Sequence, residues 1–325
     1  MKGKTGPVAE HLRPILDAYL DSAVALVGCA SRGMQRYSCE FDILVVTEDP
    51  RPETSLKLGD VYVDMAFVTE EEVLKPRPER ALALASAKPV RDTALTLSTA
   101  IAASSATLSS SAGAASTARL GSALKALGRS EDALGKGRVT DADYWLLAAS
   151  QEFAFAVLLA NEAVPSPSHL LSQLRVLSKG AGGSFEAVAA GAGLEAASRA
   201  GCGARLEGVT ILHDILRGGR APGEPEWPAA RTEILSAKAE ELVTRMELAE
   251  CYSFLGGELV EGISALLRRR PKDTVSSLTS GDGRLLGERL VRQLGLSREE
   301  QTVRHGVASL KEQVAALAKR PRGGD

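Results

Sequence analysis

Three carboxylates stand out for their type and spacing. Glu40 and Asp42 sit two residues apart at the start of the apolar run FDILVV (41–46), and Asp64 lies inside VYVDMAFV (61–68). On a strand, period-2 geometry puts Glu40 and Asp42 on one face, about 7 Å apart. The 61–68 strand is well placed to pair antiparallel with that strand and bring Asp64 to the same face. Three carboxylates on one sheet face repel each other, and bound divalent cations would remove that cost. Mg²⁺ takes oxygen ligands, typically one or two carboxylates together with substrate phosphates. Two such ions a few Å apart can clamp an in-line phosphoryl displacement. The competing reading is solvated acids on an exposed sheet face. It explains alternating acids, but not their place after a strand, a glycine and a turn.

That preceding unit is AVALVGCASRG (23–33). A strand ends at Gly28, and a short turn and helix follow with Ser31, Arg32 and Gly33. Helix-start amides and arginine can bind phosphate charge; solvated arginines at a helix start are the alternative, for Arg36 as well. Gly28-Cys29-Ala30-Ser31-Arg32-Gly33, six residues, then Glu40-Phe41-Asp42-Ile43-Leu44-Val45 resembles the signature of the polymerase-beta-like nucleotidyltransferase superfamily. The form is that of the minimal and kanamycin-type nucleotidyltransferases: a hydrophobic residue, Gly, then Gly or Ser, a spacer of about ten residues and two acids separated by one hydrophobic residue. A third acid follows on a later strand.

The resemblance covers residues 7–100 and implies specific roles. Glu40 and Asp42 would be metal ligands, with Asp64 the third ligand or the base that deprotonates the acceptor. Gly28, Cys29, Ser31, Arg32 and Gly33 would form the turn that grips a triphosphate. The implied cofactor is Mg²⁺ and the implied donor substrate a nucleoside triphosphate, ATP first among them. Two positions depart from the pattern. Cys29 stands where Ser or Gly is usual, and a thiol is a weak hydrogen-bond donor. Glu40 replaces the commoner Asp, and its longer side chain moves the metal.

The wider chain bounds the function. It has 325 residues, 39 Lys+Arg against 41 Asp+Glu, a formal charge of −2 and 4% aromatics. A near-neutral balance excludes a strongly basic nucleic-acid coat, and scarce rings leave little for base stacking. The cysteines at 29, 39, 202 and 251 show no CxxC spacing, so neither a disulfide framework nor a zinc ribbon is indicated. The four histidines (11, 169, 213 and 305) lack partners at metal-ligand spacing and read as packing or surface residues. Charged residues interrupt the N-terminus, so it does not read as a signal peptide. The uncharged stretch 93–118 is nearly half Ser and Thr, too polar for a bilayer span. It reads as a strand leading into a small-residue helix, or as a mobile connection. The expectation is a cytoplasmic protein with no membrane contact; the oligomeric state stays open.

The fold class expected is α+β: a small mixed nucleotidyltransferase-type sheet with helices, then an all-α bundle. Residues 1–100 would form the catalytic domain and 101–325 the helical C-terminal domain. Helical spacing marks 7–21, and strand-like runs mark 23–28, 41–46 and 61–68. Turn signals lie at 48–53 and 58–60, and 88–98 offers an edge strand. In KPVRDT (88–93), Lys88, Arg91 and Asp92 read as structural. Helical patterns fill 139–162, 166–180 and 297–320, and 227–270 reads as two helices broken near Gly256–Gly257. RVLSKGAGGS (175–184) lacks P-loop order and reads as a flexible loop. The basic runs at 268–272 and 319–324 read as a helix end and a tail.

The function expected is transfer of a nucleoside monophosphate from a nucleoside triphosphate to a hydroxyl or amine, releasing pyrophosphate. A small-molecule or protein acceptor is favoured over RNA. Two alternatives stay open: an RNA-end nucleotidyltransferase, and a catalytically weakened, antitoxin-like nucleotide-binding or interaction protein.

Overall fold

The computed structural model describes residues 6–36, 39–59, 61–178, 183–218, 229–271, 273–279 and 286–320. The centre of the glycine-rich loop expected at 175–184 (179–182) and the end of the basic tail (321–325) lie outside the described residues. The chain is an α+β protein with a five-stranded mixed sheet and a long helical region. It divides into two compact units, Met1–Ala112 with Pro228–Ile234, and Gly113–Trp227 with Leu235–Asp325.

The first unit opens with α1 (Gly6–Ala18) and β1 (Ala23–Val27), followed by the single-turn α2 (Gly28–Ser31) and β2 (Phe41–Val46). Then come β3 (Thr54–Leu58), β4 (Val61–Val68), α3 (Glu70–Leu74), α4 (Pro78–Ala85), β5 (Lys88–Arg91) and α5 (Thr96–Ala106). The strand order is β3-β4-β2-β1-β5. Leu12 and Ile15 of α1 pack with Val24, Leu26, Phe41, Ile43, Val45, Val63 and Met65 on one face. On the other face Ala25, Leu44 and Val68 pack with Val73, Leu84, Leu97 and Ala100 of α3–α5. Both faces of the central strands are therefore covered. This is why AVALV and ILVV are continuous apolar runs rather than alternating ones.

One pairing differs from the expectation. β4 lies parallel to β2, not antiparallel, with Asp42 opposite Asp64 in the register. The cause is β3, which forms from TSLKL between two turn signals and pairs antiparallel with β4. It reverses the chain once more, so β4 re-enters the sheet in the same sense as β2. The 88–98 stretch is strand only as far as Arg91. Asp92 then accepts hydrogen bonds from the Leu97 amide (3.0 Å) and from the Ser98 amide and hydroxyl (2.7 and 2.6 Å), which start α5.

The second unit contains most of α6 (Leu108–Gly135), then α7 (Val139–Ala160), α8 (Leu170–Ser178), α9 (Ser184–Ala192) and α10 (Arg199–Gly218). It continues with α11 (Ala229–Thr244) from Leu235 onward, α12 (Leu248–Arg269), α13 (Val275–Thr279), α14 (Glu288–Gln293) and α15 (Glu300–Ala318). The uncharged stretch 93–118 is thus α5 and the start of α6. Among the described residues, no helix is long and apolar enough to cross a membrane. The break expected at Gly256–Gly257 falls instead at 245–247, where Met246 takes φ +61°. Gly256 and Gly257 stay inside α12, where Gly256 and the later Gly262 sit close to neighbouring side chains. A Cβ on Gly262 would stand 2.5 Å from Leu212 of α10, and one on Gly256 would stand 3.2 Å from the Arg205 guanidinium.

With few rings available, Leu, Val and Ala fill this core, and buried ionic groups tie its segments together. Arg298 binds Asp143 (2.7 Å from Nε) and the carbonyls of Ala190 and Gly191 (2.6 and 2.9 Å). Arg205, 1% exposed, donates to the carbonyls of Leu294 (3.1 Å) and Tyr252 (3.0 Å), with its guanidinium 3.4 Å from the Tyr252 ring centre. Burial lowers the Arg205 pKa to about 10, against the opposing pull of Tyr252 and Asp143.

Candidate functional site

The end of β1 and the start of β2 build the site. Their antiparallel register sets Val27 opposite Asp42, so Gly28 leaves the sheet beside the Asp42 side chain. Gly28 takes φ +67°, a left-handed conformation that favours glycine. A Cβ there would stand 1.9 Å from Asp42 Oδ2 and 2.7 Å from its Cγ. Conformation and space both demand glycine at this point.

The turn after Gly28 closes on itself. The Ser31 hydroxyl and Arg32 Nε both donate to the Gly28 carbonyl, at 2.9 and 3.1 Å. The amides of Gly33 and Met34 return to the carbonyls of Ala30 and Cys29 (3.3 and 3.0 Å), and Gly33 takes φ +72°. Ser31 is 3% exposed. Its hydroxyl proton and one Arg32 donor therefore hold the turn in shape. Burial lowers the Arg32 guanidinium pKa, while the nearby Asp42 charge pushes the other way.

On the opposite side, Asp64 is the β4 partner of Asp42. Asp42 and Asp64 share the parity of Leu44 and Val68, the sheet face that α3–α5 cover further along. One oxygen each from Glu40, Asp42 and Asp64 lie within 4.8 Å of one another, and all three residues are half-buried. Glu40 Oε2 and Asp64 Oδ1 are closed to solvent. Mutual repulsion is therefore screened less than it would be on an open surface. Three convergent, partly dehydrated carboxylates are a hard-oxygen donor set that suits Mg²⁺ or Mn²⁺.

The sequence pattern singled out these acids, and the structure brings them together. Sequence reasoning missed two features. The first is the β3 reversal, whose signal was the short TSLKL run between Pro52 and Gly59. The second is Cys39, whose Sγ lies within 4.8 Å of Cys29 Sγ. A hydrogen bond with Cys39 raises the Cys29 pKa, and so do burial and the charges of Asp42 and Glu40. Cys29 thus sits beside the acidic site. Outside the site, Arg91 Nη1 donates to the carbonyls of Leu16 and Tyr19, fixing the end of α1. His213 is buried on α10 with Glu258 at 3.6 Å.

No family model matches the chain, and no curated protein matches it. Among solved structures, a nucleotidyltransferase-like protein from Exiguobacterium sibiricum 255-15 superposes with a TM-score of 0.33 at 13% identity. The match spans 89% of this chain and 87% of that one. A likeness at this level fixes neither fold nor activity.

Proposed function

We propose that the chain is a divalent-cation-dependent nucleotidyltransferase whose site is Glu40, Asp42 and Asp64 beside the Gly28–Gly33 turn. One observation carries this reading: three carboxylate oxygens lie within 4.8 Å of one another, with the Asp42 carboxylate where a β-carbon on Gly28 would stand 1.9 Å from its Oδ2. Arg32 lies near Asp42 within the chain, and a divalent cation among the three acids would offset their repulsion further. Glu40, Asp42 and Asp64 would hold Mg²⁺, which would neutralise charge on the triphosphate and on the leaving pyrophosphate.

The remaining chemistry falls to the chain itself. An acceptor hydroxyl or amine attacks the α-phosphorus, a new O–P or N–P bond forms, and the bond to pyrophosphate breaks in line. Asp64 lies nearest to the role of proton acceptor, since it stands on β4, apart from Asp42 on β2 and Glu40 just ahead of β2. Backbone amides of the turn, together with Arg32, would face the triphosphate, because the Ser31 hydroxyl already holds Gly28. Cys29 adds only a weak donor. Positioning and charge neutralisation would supply most of the rate. A near-neutral charge and scarce aromatics favour a small-molecule or protein acceptor over RNA.

The same turn supports a second reading. A spent serine hydroxyl and a weakly donating thiol would grip a triphosphate weakly, as in a nucleotide-binding interaction protein that has lost turnover. Pyrophosphate release from each of the four common nucleoside triphosphates with Mg²⁺ and pooled acceptors separates the two. The enzyme reading expects release that Asp42→Ala abolishes. Release unchanged in that variant contradicts it, and nucleotide binding without release favours the second reading.

A further inference from the structure

The β1–β2 connection brings two thiols together at the carboxylate site. Cys29 begins it beside Gly28, Cys39 ends it beside Glu40, and their sulfurs lie within 4.8 Å. Both are reduced, at 7% and 6% exposure. The other two cysteines contrast with them. Cys202 and Cys251 are 1% and 0% exposed on α10 and α12, and their thiols point to the carbonyls of Leu248 (3.4 Å) and Ala239 (3.8 Å). Regular helix holds both members of that pair. Cys39 lies outside helix and strand, two residues ahead of β2.

We propose that Cys29 and Cys39 form a redox switch on the carboxylate site: a peroxide joins them as an intramolecular disulfide, and the closure displaces Glu40 from Asp42 and Asp64. The chemistry balances with one peroxide. One thiol gives up its proton and its sulfur attacks the peroxide; an S–O bond forms, the O–O bond breaks, and the departing hydroxide takes up that proton and leaves as water. The second sulfur displaces the hydroxyl of that sulfenic acid, an S–S bond forms and a second water leaves. Two thiols are oxidised and one peroxide is reduced to two waters.

The consequence follows from bond lengths. A disulfide requires sulfurs about 2 Å apart, so closure draws Cys39 toward the turn. Glu40 is its covalent neighbour and moves with it. Mg²⁺ demands near-ideal octahedral geometry, so a displaced ligand lowers affinity. A thiol reductant restores the site. The effect on metal rests on the cation-site reading above; the linkage itself does not.

The test uses the full chain, reduced or treated with hydrogen peroxide, with two readouts: non-reducing peptide mapping and Mn²⁺ affinity. The expected result is a peptide linking Cys29 to Cys39, Mn²⁺ binding weaker by about tenfold or more, and recovery on reduction. Cys39→Ser, or Cys39→Ala if serine impairs folding, should bind Mn²⁺ as the reduced wild type does and ignore peroxide. No Cys29–Cys39 peptide, a link only between Cys202 and Cys251, or a link that leaves Mn²⁺ affinity unchanged overturns the switch. If reduced wild type binds no Mn²⁺ at all, the cation reading has failed and the switch with it. The mapping then shows independently whether the thiols join.

Discussion

The Asp42 carboxylate rests against the α-carbon of Gly28, so closely that a β-carbon there would stand 1.9 Å from Oδ2. This contact joins the first residue after β1 to the acid of β2. It makes the position of the carboxylate a property of the backbone rather than of a rotamer alone. Gly28→Ala should therefore do more harm than an ordinary turn substitution. The left-handed φ costs about 1–2 kcal/mol, and Asp42 must leave its place. Thermal melting reads the first effect and Mn²⁺ titration the second. An alanine variant that binds Mn²⁺ as tightly as wild type would show that the contact does not position the site.

Repulsion among the acids predicts opposite effects on stability and binding. In chelator, Asp64→Asn should stabilise the protein by about 1 kcal/mol, because a partly buried like-charge neighbour of Asp42 is gone. With millimolar Mg²⁺ the order should reverse, since only wild type gains ligand-linked stability. Denaturant unfolding in the two buffers checks both signs. A variant less stable than wild type in chelator would argue that Asp64 already has its charge balanced within the fold.

How much of this could be read in the chain follows from where the information lies. Glu40, Asp42 and Gly28 were legible because their spacing follows from strand period and a single turn. The parallel sense of β4 was not, because it depends on whether five unremarkable residues (54–58) add a strand. The α11–α12 break was misplaced for a related reason. Gly256 and Gly257 look like helix breakers locally, but both stay inside α12, where the Arg205 side chain of α10 packs against Gly256, and Met246 absorbs the turn instead. The use of the Ser31 hydroxyl within the turn was equally hidden, since it depends on where the Gly28 carbonyl points.

Asp92 gives a pH-dependent prediction. Burial opposes its ionisation, but hydrogen bonds from the Ser98 hydroxyl and amide and the Leu97 amide outweigh that and hold its carboxyl below the usual range. A depressed folded pKa adds stability above the unfolded value, and that stability is lost as pH falls through the folded value. Asp92→Ala should cost about 1 kcal/mol at neutral pH. The gap to wild type should close once the pH falls below the carboxylate range. Urea midpoints at neutral pH and in acid test this, and a gap independent of pH would contradict the assignment.

Arg205 tests the helical unit. Its guanidinium bridges α12 and the end of α14 through the Tyr252 and Leu294 carbonyls. Arg205→Met keeps much of the volume but leaves both buried carbonyls without these donors, at a cost of about 2–4 kcal/mol. Arg205→Lys should recover only part, because an ammonium cannot reproduce the planar fork. Equal stability of wild type and Arg205→Met in denaturant unfolding would mean the bridge adds nothing.

The central claim is that Glu40, Asp42 and Asp64 act together as one divalent-cation site. Mn²⁺ binding to the reduced 325-residue chain, followed by loss of the free-ion paramagnetic resonance signal, tests it most directly. The prediction is saturable binding to wild type, weakened about tenfold or more in Asp42→Asn and in Asp64→Asn, with both variants folded by circular dichroism. Absence of saturable binding to wild type, or equal affinity in all three proteins, would contradict it.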